Sequence, residues 1–115
     1  MDTDIRSYTA NVARVVDGDT FDAFVQLGFG VSIKKRVRIS NINAPELGKG
    51  DHRRAKEATV VLDETLRAGE VILTTDNDEH DRYGRALARV STLIEGEWLD
   101  AGELLIQRGL ARPWY

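Results

Sequence analysis

The fold is decided by residues 20–39, which read TFDAFVQLGFGVSIKKRVRI. Two runs of alternating apolar and polar side chains flank the turn signal Gly28-Phe29-Gly30, and this pattern predicts two half-buried strands. The face that we expect to be buried carries Phe21, Ala23, Val25, Leu27, Val31, Ile33, Val37 and Ile39. The opposite face of the second strand carries Ser32, Lys34, Arg36 and Arg38. Arg38 therefore ends a polar face.

Three further strands and two helices are predicted around this pair. Residues 8–16, 70–75 and 85–92 have strand-like composition, whereas residues 40–50 and 76–84 are expected to be loops. A helix is predicted from the spacing of Ala55, Ala58, Leu62, Thr65 and Leu66, with Asp51 as its cap and Gly69 after its end. A second helix has Asp100 and Glu103 as a capping box, Leu99 and Leu104 as a hydrophobic staple, and Gly109 at its end. Between them, Glu95-Gly96-Glu97 is read as a turn.

The element order β-β-β-α-β-β-α predicts an α+β protein that is mainly β. It is the arrangement of a five-stranded, partly open barrel of the OB type, with two to three helices. We expect residues 1–7 to be a flexible N-terminal segment and residues 8–115 to form one domain. Unrelated functions use this barrel, so the function has to be argued from a site.

Composition limits the chemistry of such a site. The 115 residues include no cysteine, which excludes disulfides, a thiol nucleophile and a thiolate zinc site. The net charge of -3 argues mildly against a protein that coats nucleic acid. The N-terminus lacks the pattern of a signal peptide, and no apolar stretch reaches the roughly 20 residues of a membrane span. We expect a soluble monomer, cytoplasmic or phage-encoded and intracellular, with no membrane partner.

Three polar segments could carry chemistry. Asp17-Gly18-Asp19-Thr20 places two carboxylates at a junction between strands, where they suit Ca²⁺ or Mg²⁺, although a plain hairpin turn would look the same. The segment from Arg38 through Asn43 to Pro45-Glu46 offers a guanidinium, an amide oxygen and a carboxylate, or simply a surface ion pair. The segment from His80 to Arg85 brings a second arginine to the start of a strand, or is an ordinary turn.

Taken in order with Arg108-Gly109-Leu110-Ala111, these segments resemble the staphylococcal nuclease (thermonuclease) family over about residues 8–115. The resemblance implies an OB-like barrel that acts as a calcium-dependent nuclease on DNA and RNA. It implies that Asp19, Asn43 and the carbonyl of Ala44 bind the metal ion. It further implies catalytic roles for Arg38, Glu46 and Arg85, with Glu46 activating water, and nucleotide contacts for Arg82, Tyr83 and Tyr115.

Asn43 departs from the family pattern, which has aspartate at this position. An amide oxygen still binds calcium, but the lost charge leaves the metal open between Ca²⁺, Mg²⁺ and another divalent ion. Two alternatives remain: a binding module for nucleic acid or protein that has lost hydrolysis, and a purely structural interaction domain. Asn43 favours the first of them, whereas the presence of Asp19, Arg38, Glu46 and Arg85 argues against both.

Overall fold

The computed structural model describes residues 4–45, 52–67 and 70–114. The first part contains β1 (Ile5–Asp17), β2 (Thr20–Gly28), β3 (Val31–Ile39) and β4 (Ile42–Asn43). The second part is helix α1 (His52–Leu66). The third part contains β5 (Glu70–Asp76), β6 (Ala86–Ile94), β7 (Glu97–Asp100), α2 (Ala101–Gln107) and β8 (Arg112–Pro113). Neither helix is long and apolar enough to cross a membrane, a finding that covers the described residues alone.

A single curled sheet forms the body of the protein. Its strands follow the order β3-β2-β1-β5-β6-β7, and an additional parallel pairing between β3 and β6 brings the sheet round on itself. The predicted α+β class with an OB-like barrel is therefore confirmed. The parallel pairing has the greatest importance for the site, because it sets the end of β3 beside the start of β6.

The barrel interior and the two helices share one hydrophobic core. Phe21, Ala23, Val37 and Ile39 fill the barrel from β2 and β3. Ala58, Leu62 and Leu66 join the core from α1, as their helical spacing predicts, and α1 packs against β1. Thr65 is only half-buried. The predicted caps Asp51 and Gly69 lie outside the described residues.

The predicted buried face of the hairpin is wrong at its tip. Leu27, Val31 and Ile33 are 45%, 51% and 40% exposed. The reason is that the described pairing of β1 with β2 goes no further along β2 than Val25, so the hairpin extends beyond the barrel. Alternation shows which face of a strand is apolar, but it does not show where the covering layer stops.

Three short strands differ from the prediction. β4 lies in the segment expected to be a loop and pairs with β8, while β7 follows directly on the turn at Glu95 and Gly96. Strands of two to four residues are too short for periodicity to reveal them. In addition, β1 begins at Ile5 rather than residue 8. The division between a segment 1–7 and a domain 8–115 stays a prediction.

The start of α2 agrees with the sequence. The Asp100 side chain accepts a hydrogen bond of 2.9 Å from the backbone N–H of Glu103, which confirms it as the N-cap. After α2, Gly109 has a φ of 70° and donates its N–H to the Ile106 carbonyl. This ending turns the chain toward β8 and its partner β4.

Candidate active site

Two acidic side chains lie at the turn between β1 and β2. Asp19 is buried, and its carboxylate accepts hydrogen bonds from the Thr20 hydroxyl at 2.9 Å and from the Ala44 backbone N–H at 3.0 Å. The backbone N–H of Asp19 approaches the Asp17 carboxylate at 3.4 Å. The turn is therefore more than a hairpin connection, because it joins an acidic pair to the residues that follow β4.

The environment of the Asp17 carboxyl disfavours its charged form. Burial, together with the hydrogen bond and the negative charge of Asp19, raises the pKa of Asp17 to about 6. A cation next to both groups would relieve this repulsion. The acidic pair thus has the electrostatic character of a cation site.

Arg38 connects the acidic pair with Asn43. Its guanidinium donates to the backbone carbonyls of Ile39 and Ile42, and it reaches the Asn43 side-chain oxygen at 3.3 Å. The same guanidinium lies 3.6 Å from a carboxylate oxygen of Asp19. Arg38 therefore contacts Asp19 and Asn43, two of the three residues that the resemblance implies as metal ligands.

The second predicted arginine, Arg85, is oriented by Asp81. The Asp81 carboxylate accepts a 2.6 Å bond from Arg85 Nε and further bonds from the backbone N–H groups of Tyr83 and Arg85. Burial raises the pKa of Asp81, but these hydrogen bonds outweigh it and hold the pKa below its usual value. Asp81 thus stays ionised and fixes the direction of the guanidinium.

The parallel pairing of β3 with β6 brings the two arginines to one face. Arg38 pairs with Leu87, and Arg85 precedes Leu87 by two residues. Because side chains alternate along extended chain, Arg85, Leu87 and Arg38 all lie on the outer face of the barrel. They line a cleft of about 280 Å³ together with Ser40, Asp81, Arg82, Tyr83 and Trp114.

The Tyr83 ring is in contact with two of the basic side chains in this cleft. The guanidinium carbons of Arg82 and Arg85 lie 5.0 Å and 5.4 Å from the ring centroid. These distances are typical of cation–π contacts. The cleft therefore combines an exposed aromatic ring with a local excess of positive charge, although the whole chain is acidic.

Sequence reasoning missed Trp114 and the positioning role of Asp81. Trp114 is half-exposed in the cleft, and its backbone N–H donates to the Asn41 carbonyl at 3.0 Å. Trp114 reaches the cleft because β8 pairs with β4, and no periodic pattern in the sequence predicts that pairing. The signal available in the sequence was the pair of adjacent aromatic residues, Trp114 and Tyr115.

Two of the predicted metal ligands lie outside the cleft that Arg38 lines. Asn43 and Ala44 line a second depression of about 330 Å³ with Pro45, Arg54, Leu110, Ala111 and Arg112. The set of Asp17, Asp19, Asn43 and the Ala44 carbonyl consists of hard oxygen donors, which fit Ca²⁺ or Mg²⁺ rather than zinc. In the described parts of the chain, no three acidic, histidine or cysteine side chains form a metal-binding group. Any ion here would thus depend on amide and carbonyl oxygens as well.

The structure brings Asp19, Asn43, Arg38, Arg85, Arg82 and Tyr83 into one continuous region through the contacts above. Two predicted site residues, Glu46 and Tyr115, lie outside the described residues. Their roles remain predictions from the resemblance. Proline at position 45 and Trp114 are the described residues next to them.

The fold and the site together define a class of protein: a curled OB-like barrel with an arginine-lined cleft beside an acidic turn. A family model for staphylococcal nuclease homologues matches residues 36–115. The chain is also 32% identical over 109 residues to a micrococcal nuclease from Shigella flexneri. That match covers 90% of this chain and 57% of the curated relative, so the chain spans little more than half of that protein's length. The chain belongs to the staphylococcal nuclease family.

Proposed function

We propose that the chain is a metal-dependent nuclease that hydrolyses phosphodiester bonds in DNA, RNA or both. The main support is the parallel pairing that sets Arg38 and Arg85 on one face of a single cleft. Membership of the nuclease family and the printed name of the Shigella relative agree with this activity. The active unit is proposed to be the monomer.

The two arginines are proposed to bind the scissile phosphate. The Asp81 carboxylate accepts a hydrogen bond from Arg85 Nε. The contacts of the described residues leave both Nη groups of Arg85 for phosphate oxygens. A planar guanidinium with a fixed direction suits bidentate binding of phosphate. The same groups would stabilise the extra negative charge that develops on phosphorus during the attack of water.

A divalent cation, Ca²⁺ in the family and here Ca²⁺ or Mg²⁺, is proposed as the cofactor. Asp19, Asn43 and the Ala44 carbonyl would hold it. When bound, it neutralises negative charge on the phosphate oxygens. The burial of Asp19 and the raised pKa of Asp17 support a cation at this position.

Glu46 is proposed to accept a proton from the attacking water. The water oxygen bonds to phosphorus while the bond from phosphorus to the 5′ oxygen breaks. The 5′ oxygen takes a proton from solvent as it leaves, and Glu46 returns its proton to solvent. Arg82 and Tyr83 are proposed to contact the neighbouring phosphate of the bound nucleotide, and Tyr115 is proposed to pack against that nucleotide. Two of these residues, Arg82 and Tyr83, line the cleft with Arg85, which supports the assignment.

A binding module without hydrolysis is the second candidate, and Asn43 is the observation that favours it. An ion site with one charge fewer binds its ion more weakly. This candidate predicts nucleic-acid binding that chelator leaves unchanged, with no cleavage under any ion condition.

One assay separates the two functions. The protein is incubated with plasmid, single-stranded DNA or RNA in the presence of Ca²⁺, Mg²⁺ or EDTA. We expect cleavage that EDTA abolishes, that Glu46→Gln greatly reduces, and that the surface variant Arg67→Ala retains. Absence of cleavage with every substrate and ion, by protein that still binds DNA, would overturn the nuclease proposal.

A further inference from the structure

The outer face of the hairpin continues from the cleft as a row of cations and an aromatic ring. In the pairing of β2 with β3, Thr20 lies opposite Arg38, Asp22 opposite Arg36, and Phe24 opposite Lys34. The core residues Phe21, Ala23 and Val37 occupy the alternate positions, so the side chains of these pairs point away from the barrel interior. Thr20 and Asp22 are nevertheless buried, and the exposed members of the pairs are Phe24, Lys34 and Arg36. We call Phe24, Lys34, Arg36 and Asp22 the outer hairpin face.

This face leads directly away from the proposed phosphate site. Lys34 lies four positions before Arg38, which corresponds to about 13 Å along an extended strand. Arg36 lies halfway between them. A chain that leaves the cleft along β3 would therefore meet a basic side chain at every second residue.

An exposed aromatic ring lies next to the last cation. Phe24 is 43% exposed, and the Lys34 ammonium is 6.0 Å from its ring centroid. Asn11 of β1 lies opposite Phe24 on the other side and accepts a 2.9 Å bond from the Gln26 amide. The ring thus lies on the outer surface of the sheet with polar neighbours. Such a ring is available for stacking against a planar group.

The Arg36 side chain is fixed rather than free to rotate. It donates from Nε at 2.8 Å and from Nη2 at 3.2 Å to the two carboxylate oxygens of Asp22. The guanidinium hydrogen bond holds the pKa of Asp22 below its usual value. An arginine has five N–H donors, and the hydrogen bonds between described residues use only those that face Asp22, so the other donors can bind a phosphate. The side chain is about half exposed.

We propose that the outer hairpin face binds a single-stranded nucleic acid beyond the scissile phosphate, with one base stacked on Phe24 and phosphates near Arg36 and Lys34. This inference rests on the proposed function and adds a second contact surface for the substrate, which strands of about four nucleotides or more would reach. Within a duplex the bases are already stacked on each other, so none of them is free to stack on Phe24. The whole chain has a net charge of -3, so the overall charge of the protein does not account for this local row of cations.

The chain offers a matched control. Lys35 is adjacent to Lys34 on the same strand but pairs with Ala23, so it lies on the opposite face. Its ammonium is 3.1 Å from a ring nitrogen of His80. Lys34→Ala and Lys35→Ala remove the same charge and alter the long-range field almost equally. A difference between them therefore reports local contact.

The test measures the binding of fluorescent single-stranded DNA of two and of twelve nucleotides by anisotropy, with EDTA present. For the twelve-nucleotide strand we expect Phe24→Ala to weaken binding by about fivefold or more. Lys34→Ala should lower the slope of log affinity against log salt by about 0.7, whereas Lys35→Ala should leave it unchanged. The dinucleotide should bind all variants equally, since it does not reach beyond the cleft.

Three results would overturn the inference: equal effects of Lys34→Ala and Lys35→Ala, wild-type affinity of Phe24→Ala for the long strand, or equal losses for both lengths. A fall in molecular mass in solution on Phe24→Ala would also overturn it, since the ring would then contact a second copy. Because EDTA prevents cleavage, the result stands apart from the nuclease proposal. That proposal fails separately, in the cleavage assay.

Discussion

The Arg38 Nη2 nitrogen lies 3.6 Å from the Asp19 Oδ2 oxygen, and the two side chains are only 12% and 5% exposed. The proposed phosphate-binding group and the proposed metal ligand are thus in direct electrostatic contact. Arg38 also donates to Asn43, so both side chains that are proposed as metal ligands contact Arg38. An ion bound there would compete with Arg38 for these oxygens and favour its turning toward a phosphate.

Restoring the missing charge at Asn43 should strengthen ion binding. We expect Asn43→Asp to tighten Ca²⁺ binding by about tenfold, because a further carboxylate attracts a divalent ion, with part of the gain offset by a stronger pair with Arg38. Isothermal titration calorimetry measures the affinity. Asn77→Asp adds the same charge in an exposed turn and should have no such effect. Unchanged or weaker affinity of Asn43→Asp would remove Asn43 from the proposed ion site.

Loss of Arg85 should slow cleavage without unfolding the protein. By analogy with removal of one oxyanion donor, Arg85→Ala should reduce kcat by about 10²- to 10³-fold. Arg67→Ala, which removes an exposed arginine paired with Asp63 on α1, serves as the control. Steady-state cleavage of a labelled oligonucleotide measures both. A rate for Arg85→Ala equal to that of Arg67→Ala would end the assignment.

Much of the barrel follows from the sequence, because long alternating strands and helical spacing are local patterns. Phe21, Ala23, Val37 and Ile39 were expected in the core and are there. The exposed hairpin tip was not predicted, since exposure depends on which neighbouring strand ends first. Short strands such as β4 and β8 arise from tertiary pairing and leave too few residues for a period.

For the site, residue types and a family pattern could be predicted from the sequence, but the contacts between the residues could not. Asp81 was seen only as part of a polar loop, yet its three hydrogen bonds set the direction of Arg85 and of the Tyr83 backbone. Trp114 entered the cleft through the pairing of β8 with β4. Both facts depend on chain segments that are distant in sequence.

Trp114 should contribute to substrate affinity rather than to the chemical step. We expect Trp114→Ala to raise KM about fivefold or more while kcat changes little, because a stacked base is lost and the backbone bond to Asn41 is retained. Trp98→Ala removes a similarly exposed tryptophan from β7 and is the matched control. Equal KM values for the two variants would show that Trp114 does not contact substrate.

The Asp81 carboxylate should stabilise the fold in a pH-dependent way. Its folded-state pKa is lowered, so its contribution is present above the unfolded value of about 3.9 and is lost as pH falls through the folded pKa. We expect Asp81→Asn to lower the free energy of unfolding by about 1–2 kcal/mol at pH 7, with a smaller difference at pH 3. Urea denaturation at both pH values measures this. A difference that is the same at pH 7 and pH 3 would mean that the charge contributes nothing.

Gly18 should be required for the close approach of the acidic turn to α1. A Cβ at position 18 would lie 2.7 Å from the Ala58 Cβ and 2.8 Å from the Ala44 Cβ, both well inside van der Waals contact. Gly18→Ala should therefore destabilise the protein by about 1–3 kcal/mol and, by displacing Asp19 and Ala44, weaken Ca²⁺ binding. Adding Ala58→Gly relieves one of the two contacts, so the double variant should lose less stability than the sum of the single losses. Additive losses in urea denaturation would mean that the turn moves away from α1 without strain, because the two methyl groups would then never meet.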